Sequence, residues 1–353
     1  MQQRNKPKAS KYLAAPTRPV QVDRDRSITG LLEKMEGAGF GARALAEAHR
    51  IWLDALGDNT TIYIAASGNL IPAGMRRLLS YVIKNRFADV LVVSGEMLFQ
   101  DLHETLGRSH YQAHPSMTDE ELEASQILRS GDVLGNADEY READEWIGGF
   151  VSQLEQGRAY SVREFLHLLG RELAEIATED GVITSAYKAR IPIFCPDIGN
   201  SEISVGIAQA KFEKKTQFSF DLAQDTLEMM QIANRSRSSC LLTFGEASGK
   251  SLIDLNDVAL SILKAQPRGH KYSVTIAPQA PEVSGRTGGA NGDMSALFGK
   301  TVKGAMTTFV QCDATIALPF IITALSQTAA KYMKGRKRPN FGFAGRDLQI
   351  EVS

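Results

Sequence analysis

The strongest constraint in this sequence is an alternation of short, apolar, β-branched runs with longer helical ones. Residues 60–66 (TTIYIAA) are apolar on both alternating faces, as a strand covered on both sides requires. The turn Ser67-Gly68-Asn69 follows, then a helical run over residues 72–85. Pro72 suits its first turn, where a missing N–H has no helical partner. Residues 88–94 (ADVLVVS) are the next continuous apolar run. A strand, a helix and a strand joined by short turns make a right-handed crossover. The pattern recurs at residues 191–195 (IPIFC), 239–244 (SCLLTF), 272–277 (YSVTIA) and 307–312 (TTFVQC), with helices expected over 255–264 and 313–330. It predicts an α/β fold on a doubly wound, mostly parallel, Rossmann-like sheet.

Around this core the chain divides into an arm (1–22), a single α/β domain (23–335) and a tail (336–353). The arm is polar, broken by Pro7, Pro16 and Pro19, and has no apolar period. Such a segment lies on a neighbour or stays unfolded. Ser27 caps a helix through Leu31, Leu32 and Met35, and Leu45, Ala48, Ile51, Trp52 and Leu56 mark a second helix over residues 42–56. Residues 101–180 read as a Glu-rich helical excursion, with 118–125 (TDEELEAS) as a solvated face. Residues 278–292 (PQAPEVSGRTGGANG) form a glycine- and proline-rich patch between a strand and Lys300.

Composition removes several function classes. The chain has 353 residues and a net charge of -1, so nothing global draws it to nucleic acid or an anionic membrane. It contains no run approaching the ~18 apolar residues of a membrane span. Cys195, Cys240 and Cys312 are widely separated, which indicates neither a disulfide framework nor a zinc site and points to a reducing, cytoplasmic setting.

Ligands of open parallel sheets collect at the carboxyl ends of the strands. The small residues there suit a nucleotide approaching the backbone, although no GxGxxG is present and residues 245–251 (GEASGKS) fall one residue short of a P-loop. Lys300 follows the glycine-rich patch and an apolar segment. Left to base rates it is a surface lysine. Held among apolar neighbours, its amine loses its proton more easily and becomes a nucleophile toward a carbonyl or imine. His103, His110 and His114 are unevenly spaced and read as core or solvated side chains.

Taken in order, several segments resemble deoxyhypusine synthase, in its diverged prokaryotic and homospermidine synthase-like forms. They are Ser67-Gly68-Asn69-Leu70-Ile71, Ala88-Asp89-Val90-Leu91-Val92, Asp101-Leu102, Arg129-Ser130-Gly131-Asp132-Val133-Leu134, Ile193-Phe194-Cys195-Pro196, Phe298-Gly299-Lys300 and Cys312-Asp313-Ala314-Thr315. The resemblance implies an enzyme that binds NAD, oxidises a polyamine such as spermidine, and carries its 4-aminobutyl group as an imine on a lysine, here Lys300. By position, Ser67, Asn69, Leu70, Ser94, Gly95, Asp313 and Ala314 fall where the family holds NAD. Glu96, Asp293 and Phe298 fall near the substrate. It further implies a homotetramer with sites between paired subunits.

The chain also departs from the family pattern. Phe99 and Gln100 stand where the family has paired carboxylates, and Lys250-Ser251-Leu252-Ile253 where it has Lys-His-His-Ile. Glu96, Glu202, Glu246 and Asp293 are the nearby carboxylates available instead, and His270 is the candidate substitute shuttle. Arg286 in the altered loop suggests a substrate charged differently from spermidine. The leading expectation is an NAD-dependent aminoalkyl transferase acting on a small amine or polyamine. The alternatives are a non-catalytic, regulatory NAD- or metabolite-binding paralogue and an enzyme that modifies a translation-factor lysine.

Overall fold

Six segments pair edge to edge, the inner ones because they are apolar on both faces and the partly exposed last one at the sheet's edge. In the computed structural model they are β1 (Thr61–Ala66), β2 (Val90–Val93), β3 (Ile193–Phe194), β4 (Ser239–Phe244), β5 (His270–Ala277) and β6 (Thr301–Gln311). They form one sheet in the order β6-β5-β4-β1-β2-β3, with every neighbouring pair parallel. This is the doubly wound arrangement expected. The structure describes residues 16–21, 27–245, 249–262, 269–279, 301–343 and 346–352. Among them, no helix is long and apolar enough to cross a membrane.

Strand alternation sorts the core into two layers. Ile62, Ile64, Ala66, Leu91, Val93, Leu242 and Phe244 face one layer. There they meet Ile51, Trp52 and Leu56 of α2 (Phe40–Gly57), Leu98 and Leu102 of α4 (Gly95–Thr105), and Ile321 and Leu325 of α11 (Ala314–Tyr332). Tyr63, Ala65, Val90, Val92 and Leu241 face the other. Met229 and Ile232 of α9 (Leu222–Arg235) and Leu252 and Ile253 of α10 (Gly249–Ile262) cover them. Each such side chain contributes about 1.5–3 kcal/mol on burial. A one-residue slip would exchange the two layers, so the register is strongly specified.

Ser27 caps α1 (Ile28–Met35) as expected, accepting from the Gly30 N–H at 3.3 Å. Other expectations need correction. The helix placed over 72–85 starts with a π-helical turn at Ile71–Met75, and α3 proper is Arg76–Lys84. Gly74, at φ 85°, separates the two. The helix expected over 255–264 begins earlier, at Gly249. Residues 101–180 are not all helical: Tyr111–Gln112, Ile127–Ser130 and Val133–Asn136 form an antiparallel sheet. Its tight turn is Gly131-Asp132, with Gly131 at φ 63°, the left-handed conformation that two-residue hairpins require.

Beyond residue 335 the chain forms an antiparallel hairpin, Pro339–Gly342 with Gln349–Val352. Phe341, Leu348 and Ile350 join the second core layer. A buried ion pair secures it: Arg163 donates to both oxygens of Glu228, at 2.7 and 2.6 Å, and to the Arg346 carbonyl at 2.6 Å. The arm lies outside the described residues except for 16–21, where the Arg18 N–H donates to Gly37 O at 2.7 Å.

Candidate active site at the carboxyl edge of the sheet

The strand order reverses beside β1, which has β2 on one side and β4 on the other. Such a switch point opens a crevice at the carboxyl edge. Its floor is backbone. Ser67 N donates to Phe244 O at 3.2 Å and Gly245 N to Ile276 O at 2.9 Å. Gly245 has φ +76°, and a Cβ there would stand 2.9 Å from Ser67 O, so only glycine lets the two loops approach. Gly249 opens α10, and a Cβ there would meet Val92 Cγ1 at 2.7 Å and Val92 O at 2.8 Å. The pair Gly245 and Gly249 thus performs two tasks of a dinucleotide fingerprint, a tight turn and close helix–strand packing, without its spacing.

The residues expected to hold NAD all lie along this edge. Ser67, Asn69 and Leu70 follow β1, Ser94 and Gly95 follow β2, and Asp313 and Ala314 follow β6. They do not form one point contact: β6 is three strands from β1, roughly 14 Å, so only an extended ligand touches both ends. Several are already engaged. Ser94 caps α4, accepting from Met97 N at 3.4 Å, and Gly95 N donates to Asp197 Oδ1 at 3.0 Å. Asp313 caps α11, accepting from Thr315 N at 2.7 Å. Asn69 is exposed and donates to Ser130 Oγ at 2.6 Å. Leu70 and Ala314 are buried. Gly68, with φ +86° and open space where a Cβ would be, leaves its backbone approachable. The edge fits a dinucleotide through its switch point, glycines and helix starts rather than through free side-chain donors.

Beside the crevice lies a cluster of acidic side chains, referred to below as the acidic pocket. Glu96 comes from the first turn of α4, Asp197 from the loop after β3, and Glu202 from the start of α8 (Glu202–Phe212). Tyr140 and Asp144 come from α5 (Ala137–Gln153). Glycines bring α5 and α8 together: a Cβ on Gly148 would lie 3.2 Å from Gly206 O. Partial burial pushes the Glu96 carboxyl up, and Glu202 and Asp197 add to it. Burial and then Glu202 raise Asp144 to about 6. Asp144 Oδ1 is buried without a hydrogen-bond partner among the described residues. There too, no Lys or Arg is ion-paired to Glu96, Glu202 or Asp144. A cluster of carboxylates favours a cationic ligand.

Position along α4 is fixed from behind. Asp101 is fully buried, accepts from Arg76 Nε at 2.9 Å, and takes the N–H groups of Val182 and Ile183 at 2.8 Å each. It thereby caps α7 (Val182–Ala189). Further up the helix, Gln100 Oε1 accepts from Tyr140 Oη at 3.0 Å and lies 2.6 Å from His110 Nε2. Reading by spacing alone missed this role of His110. The one available signal was Glu104, which meets His110 Nδ1 at 2.8 Å.

Of the remaining expected residues, Glu96 lies in the acidic pocket, whereas Lys300, Asp293, Phe298 and Glu246 fall outside the described residues. The shuttle role considered for His270 is not supported. His270 opens β5 at the amino edge, is buried, and its Nδ1 lies 2.8 Å from Ser239 Oγ. Burial, with a smaller effect from Lys250, lowers it to about 4, so it is a neutral core histidine.

Comparison with known proteins agrees with the fold and the resemblance. The pattern of the deoxyhypusine synthase family matches residues 30–325. The chain is 36% identical over 338 residues to "Probable deoxyhypusine synthase 2" of Methanosarcina mazei, covering 95% of this chain and 96% of that one. It is 32% identical to the "Probable deoxyhypusine synthase 2" of Archaeoglobus fulgidus, covering 82% of this chain and 95% of the relative. Among solved structures, "a putative deoxyhypusine synthase from Entamoeba histolytica" superposes with a TM-score of 0.59 at 13% identity, covering 88% of this chain and 97% of that one. That likeness establishes the fold.

Proposed function

Because the chain belongs to the deoxyhypusine synthase family, enzymes that transfer aminobutyl groups, we propose that it is an NAD-dependent aminoalkyl transferase acting on a small amine. The observation that carries this reading is the acidic pocket of Glu96, Asp197, Glu202 and Asp144 beside a dinucleotide-type crevice. An ammonium group placed there gains charge-assisted hydrogen bonds from these carboxylates.

In this reading Ser67, Asn69, Leu70, Ser94, Gly95, Asp313 and Ala314 line the cofactor's place through backbone and helix starts. NAD supplies a hydride acceptor for the carbon beside the amine nitrogen and later returns that hydride. Glu96, Asp197 and Glu202 hold the far ammonium, which orients the donor. The neutral amine of Lys300 attacks the oxidised carbon, the leaving amine departs with a proton, and the alkyl group stays on Lys300 as an imine until a free acceptor amine displaces it. Asp293 and Phe298 stand close to Lys300 in sequence and would wall the substrate. Thr301, bonded to Lys300, pairs with His270 at the amino edge and Gln311 with Ala277 at the carboxyl edge, seven residues of β5 (~23 Å) apart. A homotetramer with sites shared between paired subunits belongs to the same reading.

The test is product analysis by mass spectrometry with NAD and a panel of di- and polyamines, comparing the parent with Lys300→Ala. Loss of transfer in the variant is expected; equal products from both remove Lys300 from the mechanism. A second reading, a non-catalytic NAD- or metabolite-binding paralogue, is favoured by Leu252, which is buried on α10 against the sheet where the resemblance calls for a histidine. Borohydride trapping of an amine on Lys300 separates the two, because a binder forms no imine.

A further inference from the structure

The α4 face that descends from the acidic pocket changes its charge with depth. Glu96, Gln100 and Glu104 recur every four residues, about 6 Å apart on one side of the helix. That step is close to the spacing of nitrogens separated by four methylenes. Glu96 is exposed and has no ion pair among the described residues. Gln100 is neutral and 7% exposed. Glu104 faces Arg76 Nε at 3.7 Å and His110 Nδ1 at 2.8 Å.

His110 closes this face. Its side chain is 4% exposed, and its two ring nitrogens face two acceptors, Glu104 Oε1 at 2.8 Å and Gln100 Oε1 at 2.6 Å. Tyr140 braces it, donating to Gln100 Oε1 at 3.0 Å and standing edge-on to Phe99 with ring centroids 5.4 Å apart. Gly135 clears the space for the phenol, since a Cβ there would lie 2.5 Å from Tyr140 Oη. Gln100 Oε1 and Glu104 Oε1, the acceptors a second ammonium along α4 would meet, are thus both engaged by His110.

We infer that His110, locked between Gln100 and Glu104, selects the amine: the pocket holds one ammonium at its mouth and excludes a second along α4. The inference rests on the amine reading above and narrows its substrate class. In a diamine one nitrogen reacts and one remains to be held, whereas a linear triamine brings a further cation that meets the His110 ring.

The test is calorimetric titration of the intact protein, saturated with NAD, with 1,4-diaminobutane, spermidine and spermine. It compares the parent with Gln100→Glu and His110→Ala and records melting temperatures alongside. One charge-assisted contact corresponds to about tenfold in affinity. The parent is expected to bind the diamine about tenfold more tightly than spermidine, and each variant to erase most of that preference. Gln100→Glu keeps side-chain size and the His110 contact, so it serves if His110→Ala loosens the fold. Amine binding with an unchanged preference in a folded Gln100→Glu protein overturns the selector role and leaves the amine reading standing. Failure of the parent to bind any of the three overturns the amine reading itself, and this inference with it.

Discussion

Gly206 packs so closely against Asp144 that a Cβ at residue 206 would stand 2.5 Å from the Asp144 carbonyl oxygen. This contact between α5 and α8 brings Glu202 near Asp144. Gly206→Ala would have to separate the helices, because backbone cannot yield as a flexible side chain can. Overpacking of this kind costs about 1–3 kcal/mol. The expected outcome is a lower denaturant midpoint together with weaker amine binding. Parent-like values of both would show that α5 and α8 shift without consequence.

Asp144 gives the pocket a pH dependence. Its folded value of about 6 lies well above the ordinary carboxylate range, so the folded protein holds a proton there that the unfolded chain releases. Stability from this group is present below pH 4 and is lost as pH rises toward 6. Buried His49, His103, His167 and His270, all lowered to about 4, act oppositely and lose their contribution as pH falls from 6.5. The difference between parent and Asp144→Asn isolates the carboxyl. The variant should match the parent near pH 4 and exceed it in stability at pH 7. Chemical denaturation at both pH values decides this, and an equal difference at both would contradict the assignment. In the parent, amine affinity should also rise as pH passes 6, when the carboxylate gains its charge.

The bond from Asn69 Nδ2 to Ser130 Oγ ties the β1 loop to the tip of the antiparallel hairpin. Both groups are exposed, so losing the bond costs the fold only about 0.5–1.5 kcal/mol. Asn69→Ala is expected to weaken NAD binding several-fold while moving the melting temperature by a few degrees at most. Isothermal titration with NAD is the check. An unchanged affinity would take Asn69 out of the cofactor's contacts.

Much of the fold was legible because its signals are local. The turn Ser130-Gly131-Asp132-Val133 was equally local, yet the Glu-rich surroundings concealed it. The flanking runs Ile127-Leu128 and Val133-Leu134 show the β signal that charge counting passed over. The hairpin past residue 335 was not legible as core, because Phe341, Leu348 and Ile350 reveal their burial only once α9 and α10 define the second layer.

The sequence by itself determined the parallel sheet, since runs apolar on both faces have no stable place outside a three-layer fold. It also determined that small residues end the strands at a ligand-binding edge. Only the tertiary structure decided which charges meet there. Glu96 follows β2, whereas Asp197 and Glu202 follow β3, and they become neighbours because β2 and β3 pair in parallel. Gln100, His110 and Tyr140 come together because the hairpin folds α5 back over α4. Electrostatic interactions fall off with distance in space, not along the chain, so the pocket's charge balance depended on the folded arrangement.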